Sequence, residues 1–262
     1  MKITVLKTKS LGFIGGGRIT KIFLQAFANK NCEFQSVMVY DANSEVTDSL
    51  QKQFPQIEIA ESLYQVSTHS TLIIALHPPV ILETLDKLTE VVTNDAIVIS
   101  LAPIITIEKI AAKLKTPNIT RMIPNATSYI NEGFNPIAFS QGFNASEKQK
   151  LLEMMKLLGH TFEVEESKLE AYALISAMLP TYFWFQWKEL TQIGTQMGLT
   201  PGESKDSVSQ TLISAIHLLF ESGLSAGEVI DLIPVKPIAE YQAQICEIYQ
   251  SKLISLYERI KP

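Results

Sequence analysis

The chain has 262 residues, 46% hydrophobic and 19% charged, which is enough apolar material for one large core or two smaller ones. Its 22 Lys and Arg against 27 Asp and Glu leave a formal charge of -5, and no basic block is present to neutralise a phosphate backbone, so nucleic acid is excluded as an expected partner. Cys32 and Cys246 are far apart and no Cys/His cluster has metal-ligand spacing, so no disulfide framework and no metal site are expected, and a reducing cytoplasm fits best.

The opening stretch MKITVLKTKS holds no long apolar core for export, and the apolar runs elsewhere are short or broken by Pro and charge. No targeting or membrane-spanning segment is expected. From residue 11 to about 160, short β-branched runs alternate with helical patterns. LGFIG, SVMVY, STLIIAL and AIVISLA are continuously apolar, as strands buried on both faces are. Between them ITKIFLQAFAN, SEVTDSLQKQF and PVILETLDKLTEVV carry apolar residues at helical spacing. This alternation predicts a Rossmann-type α/β fold, a parallel sheet with right-handed crossovers and helices on both faces. After residue 160 the pattern becomes helical: KLEAYALISAM running into PTYFWFQWKELTQIGTQMG, then ESKDSVSQTLISAIHLLFES, then a tail from near Pro237. Two domains are expected, an α/β domain over 1–162 and an all-α domain over 163–262, with HTFEVEE as the crossover between them.

The glycines of GFIGGGRIT stand where the first strand should meet the first helix. That is where dinucleotide-binding folds bring backbone amides against a diphosphate. Gly15 makes the tight turn, Gly17 lets the backbone approach the phosphates, and Thr20 stands at a third position where Gly or Ala is usual. The bulk at Thr20 requires looser packing or a hydroxyl bonded back to the helix. Asp41 ends the second strand, where a carboxylate can accept from both ribose hydroxyls and repel a 2′-phosphate, favouring NAD over NADP. It equally suits a turn or N-cap residue of DANSE.

LIIALHPP ends a strand in a turn bearing His77, placed either near the cofactor or simply in a solvated loop. SLAPIIT ends the next strand, and RMIPNATSYINEGFNPIAF brings Pro124 and Asn125 to a loop after a later one. Asn125 there serves either to orient a substrate or to make an Asx turn. The cofactor-binding set expected from these turns is Gly12, Gly15, Gly16, Gly17, Arg18, Ile19, Asp41, Ala75, His77, Pro78, Ser100 and Leu101.

In order and spacing, GFIGGGRI, ALHPP, SLAPIIT and RMIPNATSYINEGF resemble GFIGxGNM, AVKP, SIAAGVT and RxMPNTPxxxxxG of the pyrroline-5-carboxylate reductases. SAMLPTY is similar to that family's SGSSPAY, and MGLTPGES to its GGMPRxxA. The resemblance implies an N-terminal Rossmann domain, a helical C-terminal domain that interlocks with its copy in a homodimer, and nicotinamide-dependent reduction of a cyclic imine to proline. It also implies a catalytic set of Asn125, Ser176 and Tyr182, with a small-molecule substrate and NAD or NADP as cofactor. Tyr182 also opens the run TYFWFQW, which suits a core or dimer interface.

The departures from the family are informative. Its SPGGTT loop is replaced by IPVKPIAEY at 233–241, which has no glycine and fewer free amide donors. Lys236 is either an anion-binding point charge or a solvated surface residue. Ala177, Met178 and Leu179 replace small residues of SGSS, so the expected pocket is more apolar than one for pyrroline-5-carboxylate. A nucleotide-binding paralogue with a regulatory role is the alternative reading. A β-hydroxyacid dehydrogenase is a further one, since Lys188 lies on the right helix, but the glycines expected before it are missing.

Overall fold

The structure, a computed structural model, describes residues 9–262; residues 1–8, most of the stretch read above for export, lie outside the described residues. In chain order the elements are β1 (Ser10–Ile14), α1 (Arg18–Asn29), β2 (Ser36–Tyr40), α2 (Ser44–Gln53), β3 (Glu58–Ile59), α3 (Leu63–Val66), β4 (Thr71–Ile74), α4 (Pro78–Leu88), β5 (Ile97–Ser100) and α5 (Ile107–Ala111). They continue with β6 (Ile119–Met122), β7 (Gly133–Phe139), α6 (Ala145–Met155), β8 (Gly159–Glu163), α7 (Leu169–Tyr172), α8 (Leu179–Gln196), α9 (Pro201–Glu221), α10 (Ala226–Asp231) and α11 (Gln242–Ile260).

The eight strands form one sheet in the order β3-β2-β1-β4-β5-β6-β7-β8, with β1 in parallel pairing to both β2 and β4. Its alternating residues face opposite layers. Leu11 and Phe13 join one core cluster and Ile14 the other, and in β5 Ile97 and Ile99 are split from Val98 in the same way. That is why these runs are continuously apolar. Phe23, Leu24 and Phe27 turn one face of α1 onto the sheet, with the Phe23 ring edge-on to Phe13 at 6.2 Å. Each such buried ring contributes about 2–3 kcal/mol, and together they hold the N-terminus of α1 over the end of β1.

Two features differ from the expected arrangement. First, β7 runs antiparallel to β6, because only a 3-10 turn at Ala126–Ile130 joins them and a parallel return needs a longer crossover. Helix α6 supplies such a crossover, and β8 is parallel to β7 again. Second, HTFEVEE is no linker, since most of it is β8 and its pairing with β7 runs from Gly133–Gly159 to Ile137–Glu163.

By compactness, one unit runs to Ala177 and includes Tyr257–Pro262, and the other is Met178–Leu256. The first unit thus continues beyond residue 162 through α7, whose Leu169 is buried in the sheet's core. In the second unit α8 and α9 approach closely at Gly194, where an added Cβ would lie 2.3 Å from the Ser204 hydroxyl. That hydroxyl donates to the Thr191 carbonyl at 2.6 Å. Thr200 with Glu203, and Ser225 with Glu228, form capping boxes that start α9 and α10. Among the described residues of α8 to α11, only Ser204 is buried. No helix among the described residues is long and apolar enough to cross a membrane.

Candidate functional site

The glycine turn lies at the carboxyl end of β1, between the ends of its two neighbours. Gly15 donates to the Tyr40 carbonyl and Ala75 to the Ile14 carbonyl, each at 2.8 Å. Gly15 has φ +101°, and a Cβ there would sit 2.5 Å from the Ala75 carbonyl oxygen, so protein packing alone demands glycine. Gly12 is similarly confined, by the Val66 carbonyl. Gly17 is different. It is the N-cap of α1 with φ −71°, and a Cβ on it would meet no protein atom within 4 Å. Nothing in the fold asks for a bare backbone at that position.

The helix end is equally open. Helices α2, α5, α6, α9 and α10 each have a side-chain cap and an acidic residue in the first turn. Helix α1 has neither, so no side chain of its own caps the amides of Arg18, Ile19 and Thr20 at the positive end of the helix dipole; the carboxylate beside this end is Asp41. Helix α4 also lacks both, but it starts at His77 with Pro78 and Pro79, which have no amide hydrogen to offer. Thr20 resolves the bulk expected at the third motif position: its buried hydroxyl donates to the Gly15 carbonyl at 2.5 Å, bracing the turn.

Asp41 follows β2 and serves the turn. Its Oδ2 accepts from the Gly16 amide at 2.8 Å and its Oδ1 from the Asn43 amide at 2.9 Å. Beside it lies a hollow of about 400 Å³ whose lining includes Gly16, Gly17, Arg18, Lys21, Asn43 and Glu45. On the other flank, Ser100 is fully buried at the end of β5, and the Leu101 amide donates to the Ile74 carbonyl at 3.1 Å. Ala75, at the end of β4, bounds Gly15, and Ser100 and Leu101 stand at the end of the next strand beyond β4.

Asn125 and Ser176 are brought together. Asn125 is buried, and its Oδ1 accepts from the Thr127 amide at 3.0 Å and its hydroxyl at 2.9 Å, capping the turn at 126–130. Its Nδ2 donates to the carbonyl and hydroxyl oxygens of Ser176, each at 3.2 Å. The Ser176 hydroxyl in turn donates to the Phe134 carbonyl at 3.2 Å. Ser176 sits in a π-helical turn, Ala173–Ala177, a geometry frequent at functional sites. Tyr182 belongs to the second unit, on α8, with its ring 6.1 Å from that of Tyr249; burial pushes its phenol up from the usual value.

A third group was not singled out in the sequence. Arg121, in β6, is wholly buried and donates to Glu166 Oε1 at 2.9 Å and Glu170 Oε1 at 2.5 Å. An Arg inside the strand run ITRM, followed by glutamates four apart at 166 and 170, was the available signal: a buried guanidinium requires counter-charges. No set of three His, Cys, Asp or Glu side chains among the described residues is placed to hold a metal ion.

A family model described as NADP oxidoreductase, coenzyme F420-dependent, matches residues 10–103. Pyrroline-5-carboxylate reductases of Staphylococcus aureus are 25% identical over 155 residues, 59% of this chain and 57% of theirs, so the match spans little more than half the length of these relatives. Two solved structures extend the likeness to the whole fold. A Plasmodium falciparum pyrroline carboxylate reductase with NADP bound superposes with a TM-score of 0.79 at 19% identity, covering 97% of this chain and 96% of that one. The 1-pyrroline-5-carboxylate reductase of Streptococcus pyogenes gives 0.76 at 16%, covering 97% of each chain. The chain has the fold of these pyrroline-5-carboxylate reductases.

The divergence from the reductases has a structural face in both units. Where the reductase pattern SIAAGVT has its glycine, this chain has Ile104, held in the left-handed region at φ +72°. Where the reductase loop SPGGTT would stand, Ile233, Lys236, Pro237 and Ile238, with Ile245 and Cys246, line an apolar cavity of about 410 Å³.

Proposed function

We propose that this chain is a nicotinamide-dependent reductase that delivers hydride to a cyclic imine or a related small acid. The observation that carries the reading is the turn at Gly15 to Gly17, where the one glycine of the three that packing does not require faces open space at a helix end with no side-chain cap. When bound there, the nicotinamide nucleotide supplies the hydride, and the protein supplies binding and orientation. The first-turn amides of α1 hold the diphosphate, with Gly17 allowing close approach. Asp41 accepts from the ribose hydroxyls, and its charge disfavours a 2′-phosphate, which ranks NAD ahead of NADP. Arg18 and Lys21, on the same hollow, are the cations a 2′-phosphate would use. The ratio of the two affinities decides between them.

Ser176, Tyr182, Thr181 or a bound water is the proposed proton donor to the reduced substrate, and Asn125 holds the Ser176 turn in place. The apolar residues that stand in place of SGSS and SPGGTT, Ala177 to Leu179 and those within 233–241, favour a substrate less polar than pyrroline-5-carboxylate. A homodimer is part of the proposal. Phe185, Phe220 and Val235 are 67%, 77% and 73% exposed, and the second unit buries almost none of its own apolar side chains. A second copy offers a matching surface. We place the protein in the cytoplasm on its two unpaired cysteines.

The test follows NADH and NADPH oxidation by the purified chain with pyrroline-5-carboxylate, a panel of cyclic imines and small 2-oxo acids. Turnover of a cyclic imine supports the reading. Clear nucleotide binding without turnover of any substrate favours the regulatory paralogue, and no nucleotide binding at all ends both.

A further inference from the structure

The buried cluster around Arg121 joins two segments that the proposed reaction needs in register. One is the loop from Leu101 to Thr106, which leaves the carboxyl end of β5 beside the glycine turn; Ser100, just before it, is the register partner of Arg121. The other is residues 166–177, which carry Glu166, Glu170 and the turn bearing Ser176. Each glutamate links the two. Glu166 Oε1 accepts from the Ile107 amide at 2.7 Å and from Arg121, and Glu170 Oε1 accepts from the Ile104 amide at 3.3 Å and from Arg121. The guanidinium also donates to the Ala102 carbonyl at 3.3 Å.

Stability alone does not account for this arrangement. Arg121 and Glu170 are taken out of water while Glu166 stays 30% exposed at the edge, and Arg121 Nε and Glu170 Oε2 are buried without a hydrogen-bond partner. Apolar residues of similar volume commonly stabilise a core as well or better than such an ion cluster. The loop it grips also contains Ile104, a β-branched residue in left-handed backbone, a conformation that persists only where its surroundings hold it. Strain held by a buried, imperfectly satisfied charge cluster is expected where geometry matters more than free energy.

We infer that Arg121 is a positioning residue for the reductase reaction: through Glu166 and Glu170 it locks the 101–107 loop to the turn that carries Ser176. This rests on the reading under Proposed function, and the experiment separates the two. In the full chain, Arg121→Met, Arg121→Lys and Glu170→Gln are compared with the unaltered protein by amide hydrogen exchange, NADH titration and steady-state kinetics with the cyclic imine that is turned over.

Arg121→Met speeds exchange in both 101–107 and 173–177 by about tenfold or more, leaves segment 10–20 unchanged, and shifts NADH affinity less than about twofold. It lowers kcat more than it raises KM. Arg121→Lys restores part of the loss, since an ammonium keeps the charge but not the fork that spans two carboxylates. Exchange that rises in one segment alone, rises evenly over the chain, or does not change overturns the inference. If Arg121→Met does not fold, Glu170→Gln puts the same question with smaller effects in the same two segments. If the unaltered chain binds no NADH, the reductase reading fails while the exchange pattern still decides whether the two segments are locked together.

Discussion

Two glycines two positions apart should respond to substitution in opposite ways. Gly15→Ala places a methyl group in left-handed backbone, costing about 1–2 kcal/mol. It also drives that methyl to 2.5 Å from the Ala75 carbonyl oxygen, which belongs to backbone and can move only with the end of β4. Overpacking of this kind costs about 1–3 kcal/mol, so the total is about 2–5 kcal/mol. At about 2–4 °C per kcal/mol for a chain of this size, Tm falls by about 4–20 °C.

Gly17→Thr meets no protein atom, keeps an extended N-cap conformation and offers a hydroxyl that caps helices about as well as glycine. Its effect on stability is within about 0.5 kcal/mol. Its side chain nevertheless occupies the space over the first-turn amides. Losing one charge-assisted hydrogen bond to a phosphate costs about 1.5–3 kcal/mol, a rise in Kd of about tenfold to more than a hundredfold. Circular dichroism melts and NADH fluorescence titrations of the two variants make the comparison. Gly17→Thr binding NADH as tightly as the parent, or unfolding as early as Gly15→Ala, would refute the assignment of this turn to a diphosphate.

Other consequences are open to direct measurement. Thr20→Val leaves the Gly15 carbonyl without its 2.5 Å donor and should lower stability by about 1–3 kcal/mol in urea unfolding. Asn125→Asp keeps the acceptor that caps the 126–130 turn but removes the Nδ2 that donates to both Ser176 oxygens, so kcat should fall with little change in NADH affinity. Burial holds the His69 pKa below its usual 6.5, with the Val66 carbonyl and Glu58 pulling the other way. The folded state therefore resists protonation, and stability is full above about pH 6.5 and declines as pH falls below it. His69→Gln should flatten that decline in urea titrations at pH 7.5 and 5.5. Burial raises the Cys32 thiol to about 11, against a smaller opposing effect of Lys30, so iodoacetamide at pH 8 should spare it in the native chain and label it in urea.

The alternation of strand and helix was legible because a sheet covered on both faces has no polar face to interrupt its apolar runs. SVMVY and the IVIS of AIVISLA are strands in the structure, and the IFLQAF pattern gives α1 its inward face. The polarity of β7 was not legible. Direction depends on the length of the connection, and the segment between β6 and β7 reads as an ordinary polar loop. The single long helix expected from KLEAYALISAM into PTYFWFQW divides into a 3-10 turn, α7, the π turn and α8. Proline has a physical part in this. Pro180 has no amide hydrogen to give the Ser176 carbonyl four residues earlier, and that carbonyl instead accepts from Asn125.

That exchange of partners also explains why the site was only half legible. The residue types were visible as single letters with two uses each, Asn125 as an Asx cap or a substrate group, Asp41 as a turn or a ribose acceptor. In the structure each has a structural use, and one pattern connects them: Asp41 braces Gly16, Thr20 braces Gly15, and Asn125 braces Ser176. Polar side chains near the proposed cofactor path thus spend hydrogen bonds on backbone, and a ligand meets what capacity they have left. A sequence reveals which side chains are present but not which are already engaged. Substitutions at Asp41, Thr20 and Asn125 should therefore disturb geometry before they disturb contact, and conservative replacements that keep the bracing bond should retain more activity than their change in charge or polarity suggests.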